Sequence, residues 1–181
     1  MPSSRRSPRA AARGVSMVLM DVDGVMTDGG ILFIDGRNEG RVFDAKDGVG
    51  IWLLRQAGLA TGVISGRTSA AVKRRVRELG MEEVHLRVRN KHQTYREILA
   101  RRGISAESVC FIGDDIVDLE VLAEVGFSAA PADAHPEVRE RVRFVTRAVG
   151  GKGAVREVAD FILAAKGRHG IAGPAAGKPP R

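Results

Sequence analysis

Two groups of carboxylates raise the question of chemistry. Asp21 and Asp23 follow directly on the apolar run MVLM, and Asp114 and Asp115 follow on VCFIG, with Asp118 one helical turn further on. Residues two apart in an extended chain share a face, so Asp21 and Asp23 can point the same way and, unpaired, repel each other. A divalent cation such as magnesium relieves that repulsion, and carboxylate oxygens are the ligands a hard cation prefers. Helix capping competes for any one of these acids, and for Asp28 or Asp47 alone it is the better reading. It does not suit Asp21, Asp23 and Asp114 together, because both groups stand where an apolar strand ends.

A second set of residues fits an anion. The run ISGRT places Ser65, Gly66 and Arg67 between a strand and a helix, where a hydroxyl, exposed N–H groups and a helix N-terminus suit a phosphate oxygen. Taken alone SGRT is a weak signal, and a plain serine cap explains it as well. Lys91 gains meaning only from company: a cation beside several carboxylates can neutralise charge on a transferring phosphoryl group. The four histidines, His85, His92, His135 and His169, are dispersed and show no ligand spacing. The segment GGKG, 150–153, lacks the full phosphate-loop pattern and reads as a turn into the last helix.

These residues need elements that bring them together. Short apolar runs rich in β-branched residues alternate with segments of helical period, the pattern of parallel strands joined by crossover helices. Strands are expected at 15–20, 60–64, 84–86, 109–112, 127–130 and 144–146, and helices at 48–57, 69–79, 92–102, 116–125 and 153–166. The predicted fold is α/β, a doubly wound, Rossmann-like parallel sheet, in which ligands lie beyond the carboxyl ends of the strands. One stretch, 30–43, breaks the rhythm: ILFI and RVF flank DGRNEG and read as a β-hairpin. No insertion is long enough for a cap domain, so the site is expected to be open or covered by a neighbouring subunit.

Composition narrows the function class. The chain has 181 residues, 44% of them hydrophobic, enough for one domain at 14–166. Its net charge of +7 suggests an anionic polymer, but eight positive charges lie in the acid-free stretches 1–13 and 166–181, which leaves −1 for the rest. With 4% aromatic residues there are few platforms for base stacking, and nucleic-acid binding is not expected. Residues 1–13 read as a disordered basic tail in preference to a transit peptide, and 167–181 as a flexible tail. Cys110, the only cysteine, lies in an apolar run and reads as a buried structural thiol. Neither a membrane span nor a secretory signal is found, so a cytoplasmic protein is expected.

In order and spacing, DVDGVMTDG, ISGR, Lys91 and GDDIVD resemble the haloacid dehalogenase superfamily of aspartate-nucleophile phosphatases. KDGVGI, ADAHPEV and VTRAVGGKGAVREV are similar to its capless branch that acts on sugar-acid phosphates, over Val15 to Lys166. The resemblance implies that Asp21 becomes phosphorylated, that Asp23 is general acid and then base, and that Ser65, Gly66 and Lys91 hold the phosphate. It implies magnesium on the Asp21 carboxylate, the Asp23 main-chain carbonyl and Asp114, with Asp115 and Asp118 in support. Substrate contacts would fall on Asp23, Asp44, Ala45, Lys46, Asp47, Gly48, Arg67, Arg75 and Lys91. It further implies a homotetramer in which the hairpins assemble and neighbours help close each site. Trp52 departs from the branch, standing where an arginine often faces the sugar acid.

Two other classes compete. A signalling receiver domain also phosphorylates an aspartate near magnesium, but it carries its acceptor on a later strand than its acidic pair. A noncatalytic assembly domain could keep the fold while losing the nucleophile or a metal ligand, and here every motif residue is present.

Overall fold

The computed structural model describes residues 7–34, 36 and 38–168. Its centre is a six-stranded, all-parallel sheet made by β1 (Met17–Met20), β4 (Ala60–Ser65), β5 (Glu83–Leu86), β6 (Val109–Ile112), β7 (Phe127–Ala130) and β8 (Phe144–Val145). The strand order is β5-β4-β1-β6-β7-β8. The chain steps from β1 outward to β4 and β5, then returns to β6 on the other side of β1. The crevice where the direction reverses therefore opens at the carboxyl end of β1, the place such sheets bind ligands.

Alternation along the strands divides the core in two. Val18, Met20, Cys110 and Ile112 face one layer, built from α1 (Pro8–Arg13), α2 (Ala45–Gln56), α3 (Ala70–Glu78) and α7 (Ala154–Ala165). Met17, Leu19, Val109 and Phe111 face the other, built from α4 (Lys91–Arg102), α5 (Leu119–Glu124) and α6 (Pro136–Arg141). Being buried on both faces, these strands read as unbroken apolar runs rather than alternating ones. Cys110 is buried, and burial pushes its thiol far above the ordinary range. Among the described residues no helix is long and apolar enough to cross a membrane.

Several boundaries differ from the sequence expectations, each for a physical reason. Helix α2 begins at Ala45, because the Asp44 side chain accepts a hydrogen bond from Lys46 N at 2.7 Å and caps it. Gly48 and Gly50 lower helix propensity there, yet a Cβ on Gly50 would lie 2.9 Å from Arg156 Cα, so close packing on α7 requires glycine. The expected helix 116–125 splits into a 3₁₀ turn, Ile116–Asp118, and α5. Helix α6, which the period missed, starts with Pro136 at its first position. The expectation of a disordered tail through Arg13 is corrected for 8–13. There α1 buries Ala11 and Ala12, and Arg13 Nε donates to Ala165 O at 3.1 Å. Residues 1–6 and 169–181, including His169 and nearly all of the expected C-terminal tail, lie outside the described residues.

The hairpin is present as a two-stranded antiparallel ribbon, β2 (Leu32–Phe33) and β3 (Glu39–Gly40), with Leu32 opposite Gly40 and Phe33 opposite Glu39. Asp35 and Arg37 of its expected turn lie outside the described residues. The other expected turn, 150–153, leads into α7 as read from GGKG. No cap domain is inserted between described elements.

Away from the crevice, Glu83 joins β5 to the end of α4. It is 5% exposed and pairs with Arg101, Arg102 and, at 2.8 Å, with His85 Nε2. Burial pushes its carboxyl up, but His85, Arg102 and Arg101 together outweigh that and hold it at about 2. A depressed carboxyl contributes stability that is complete above its ordinary 4.5 and is lost as pH falls toward about 2. Glu83→Gln should lower the unfolding free energy at pH 7 by about 1–3 kcal/mol. In urea titrations at several pH values, the gap to the unmodified protein should narrow below pH 4.5. A gap constant down to pH 3 would show that packing alone is at stake.

Candidate active site

Parallel pairing brings the strand ends into one crevice. Met20 of β1 pairs with Val63 of β4 and Ile112 of β6, so Asp21 emerges between Ile64–Ser65 on one side and Gly113–Asp114 on the other. Asp21 N donates to Ile112 O at 2.9 Å, which extends the ladder by one residue, and Asp21 Oδ1 accepts from Val22 N at 2.7 Å. The loop that follows is tied by buried Thr27, whose Oγ1 accepts from Gly29 N at 3.1 Å and Gly24 N at 3.4 Å. Gly24 has φ +88° and faces Asp114; a Cβ on it would lie 2.0 Å from Asp114 Oδ2. Only glycine leaves the second carboxylate its place.

Three carboxylates and one ammonium converge there. Lys91, the first residue of α4, is 8% exposed; its Nζ lies 2.6 Å from Asp21 Oδ2 and 2.7 Å from Asp118 Oδ1. Asp118 is fully buried and its Oδ2 accepts from Asp114 N at 3.2 Å, so it orients both the lysine and the loop carrying Asp114. Burial pushes the Asp21 carboxyl up; Lys91 pulls it down and Asp118 pushes it up. Burial, then Asp21 and Asp118, push Asp114 up to about 7. Burial works against the Lys91 charge, but Asp21 and Asp118 outweigh it and raise its pKa. One cation is too little for three acids.

The donor set fits a further cation. Among the described residues Asp21, Asp114 and Asp118 each offer an oxygen, all within 4.8 Å of one another, and the buried Asp114 Oδ1 has no hydrogen-bond partner among them. A buried carboxylate oxygen left unpaired among other carboxylates is the situation a hard divalent ion resolves. Asp115, expected in support, is exposed, and its Oδ1 accepts from Ile116 N at 2.7 Å as a local cap.

Ser65, 3% exposed, ends β4, and its Oγ accepts from Arg67 N at 3.4 Å; Gly66 is exposed beside it. Asp23 turns toward the hairpin. Its Oδ1 accepts from Arg41 Nε at 2.6 Å and its Oδ2 lies 3.9 Å from Arg67 Nε. Glu39 bridges the two arginines, Oε2 to Arg41 Nη2 and Oε1 to Arg67 Nη2, each at 3.1 Å. The sequence reading missed Arg41 and Glu39. A period of two puts residues 39, 41 and 43 on one face of the ribbon arm, but nothing local says what that face meets.

The stretch Asp44 to Gly48 divides. Ala45 and Lys46 are exposed, whereas Asp44 caps α2 and Gly48 is buried against Arg75. The expectation that Asp47 contacts substrate is corrected. It is 2% exposed, and its carboxylate accepts from Gly153 N at 3.3 Å and Arg156 N at 2.8 Å, capping α7 from within; burial pushes it up to about 6. Arg75 is buried, its guanidinium 5.9 Å from the Phe43 ring centre and 3.5 Å from Asp44 O. With Arg41, Phe43, Ala45, Arg74 and Glu78 it lines a cavity of about 330 Å³ beside the hairpin. Trp52 is half-buried on α2.

Comparison with known proteins finds relatives over most of the chain. The model of the haloacid dehalogenase-like hydrolase family matches residues 44–126. The 3-deoxy-D-manno-octulosonate 8-phosphate phosphatase KdsC of Escherichia coli strain K12 is 37% identical over 159 residues, 88% of this chain and 85% of that protein. The crystal structure of the 3-deoxy-D-manno-octulosonate 8-phosphate phosphatase from Yersinia pestis superposes with a TM-score of 0.86 at 38% identity, covering 88% of this chain and 86% of that one. The Moraxella catarrhalis phosphatase of the same name, in complex with magnesium, phosphate and KDO, gives 0.86 at 33% identity, covering 88% and 92%.

Proposed function

This chain belongs to the haloacid dehalogenase-like hydrolases, among their phosphatases, and on that premise we propose that it hydrolyses 3-deoxy-D-manno-octulosonate 8-phosphate through an aspartyl phosphate on Asp21. The observation that carries the reading is the buried group at the end of β1. Asp21 stands 2.6 Å from the Lys91 ammonium, beside an Asp114 oxygen without a hydrogen-bond partner among the described residues, with a second, half-buried carboxylate two residues on.

Asp21 attacks phosphorus in line, a P–O bond forms to its carboxylate and the ester P–O bond breaks, while Asp23 gives a proton to the departing sugar oxygen. In the second half, Asp23 takes a proton from water, which attacks the same phosphorus and releases inorganic phosphate and free Asp21. Lys91, the Ser65 hydroxyl and the N–H groups around Gly66 neutralise the phosphoryl oxygens. The Asp21 carboxylate, the Asp23 main-chain carbonyl and Asp114 would hold magnesium, which would supply positive charge to the same oxygens. Arg67 and Arg75, with Ala45 and Lys46, border the space where the sugar acid would lie.

The hairpin supports assembly. Leu32, Phe33, Ile34 and Val42 are each at least 60% exposed, an apolar surface that a second copy of the ribbon would cover. We read the working form as a homotetramer, which light scattering of the purified protein would return as four chain masses.

A comparison of kcat/KM over a panel of sugar-acid phosphates, with and without a chelator, tests the substrate. Turnover should depend on magnesium and be at least about tenfold higher for the eight-carbon 8-phosphate than for nine-carbon 9-phosphates, a gap of roughly 1.4 kcal/mol. A preference for the nine-carbon acids would overturn the choice of sugar. Undiminished turnover in the chelator would overturn the metal.

A further inference from the structure

We infer that Arg41 is the residue that positions Asp23 for proton transfer, and that Glu39 positions Arg41. The inference rests on the reading of Asp23 as the acid and adds the device that aims it. Every nitrogen of the Arg41 guanidinium is committed: Nε to Asp23 Oδ1 at 2.6 Å, Nη1 to Gly40 O at 2.9 Å and Nη2 to Glu39 Oε2 at 3.1 Å. Its side chain is only 1% exposed. A planar fork held at three points has little rotational freedom and passes that rigidity to the carboxylate it grips.

The geometry divides the two oxygens of Asp23. Oδ1 is taken by Arg41, while Oδ2 of the Asp23 side chain, itself 19% exposed, has Arg67 Nε 3.9 Å away, beyond a hydrogen bond. An in-line attack puts the departing oxygen on the far side of phosphorus from Asp21, outward from the floor of the crevice. The Arg41 contact draws the Asp23 carboxylate away from the Asp21, Asp114 and Asp118 cluster and leaves Oδ2 to meet that oxygen. Asp23 is attached to the β1 loop and Arg41 to the hairpin, 18 residues on, so the contact ties the acid to a separate element that lies beside the crevice.

Leaving-group dependence tests this, because a nitrophenolate departs without a proton whereas an alkoxide needs one. The variants Arg41→Met, Arg41→Lys, Glu39→Gln and Asp23→Asn are assayed with magnesium on benzyl phosphate and on 4-nitrophenyl phosphate. The parameter is kcat/KM, which stops at cleavage of the ester and excludes the later attack of water. Arg41→Met should lose about 10–100-fold on the benzyl ester and less than about threefold on the nitrophenyl ester. Glu39→Gln should show the same bias at about 3–10-fold, and Arg41→Lys should fall between it and the unmodified protein. Equal losses on both esters, or none, would overturn the inference. If Arg41→Met does not fold, the presence or absence of the bias in Glu39→Gln and Arg41→Lys decides in the same way. Asp23→Asn separates the two levels: without bias there, Asp23 is not the acid; with bias there and none in the Arg41 and Glu39 variants, only the positioning role falls.

Discussion

Asp21→Asn should lose at least about 10⁴-fold in kcat, the scale seen when a covalent nucleophile is removed, while the protein still folds. The substitution changes one heavy atom and keeps the oxygen that accepts from Val22 N at 2.7 Å. It takes from Lys91 one of its two carboxylates, but Asp118 Oδ1 still holds the ammonium at 2.7 Å. It also removes one of three acids crowded within 4.8 Å, where burial first and then mutual repulsion push Asp114 up to about 7. These effects oppose one another, and the urea midpoint should correspond to a change within about 1 kcal/mol. Labelled phosphate should be trapped on the unmodified protein by acid quench in a bond that hydroxylamine cleaves, and the variant should trap none. Full activity in Asp21→Asn would sink the mechanism. A stable phosphoenzyme that never turns over in the unmodified protein would favour a signalling receiver.

Some of this site could be read from the sequence because parallel sheets collect their strand ends. Asp21, Ser65 and Asp114 each follow an abrupt end to an apolar run, so the fold class alone places them at one edge. Lys91 follows the same logic at the start of α4. What escaped reading depends on contacts between distant elements. Asp118 could be placed one turn beyond Asp114, but its ion pair with a lysine 27 residues away could not. Arg41 shares a face with Glu39 by simple alternation, yet whether the hairpin folds onto the crevice is a tertiary matter. Asp47 divides the two kinds of reading: the cap favoured for it alone is what it is, but the capped N-terminus, at Gly153, lies 106 residues on, whereas the substrate contact implied by the resemblance is not what the structure shows. Pro8–Arg13 read as part of a disordered basic tail, but two alanines suffice to pack it where α7 already offers a surface.

Lys91→Met should be the most damaging substitution to stability at the site, and its damage should grow with pH. Methionine has a similar reach and can occupy the stem of the lysine, so the principal loss is the charge. Without it Asp21, Asp114 and Asp118 face one another with no ammonium among them, and an uncompensated buried charge costs about 3–5 kcal/mol. The sign follows from the raised carboxyls. Asp114 is already pushed up to about 7 from an ordinary 3.8, and a raised acid adds no cost below its ordinary value and its full cost above the folded one. Urea titrations without divalent ions should therefore show a larger loss at pH 8 than at pH 5, where the fold can take up protons. Added magnesium should recover part of the loss at pH 8, since it supplies positive charge to the same oxygens. Turnover should fall about 10³-fold even at saturating magnesium, because the ammonium faces the nucleophile and the transferring group together. A stability loss of equal size at both pH values would mean that Lys91 contributes through its buried stem rather than its charge.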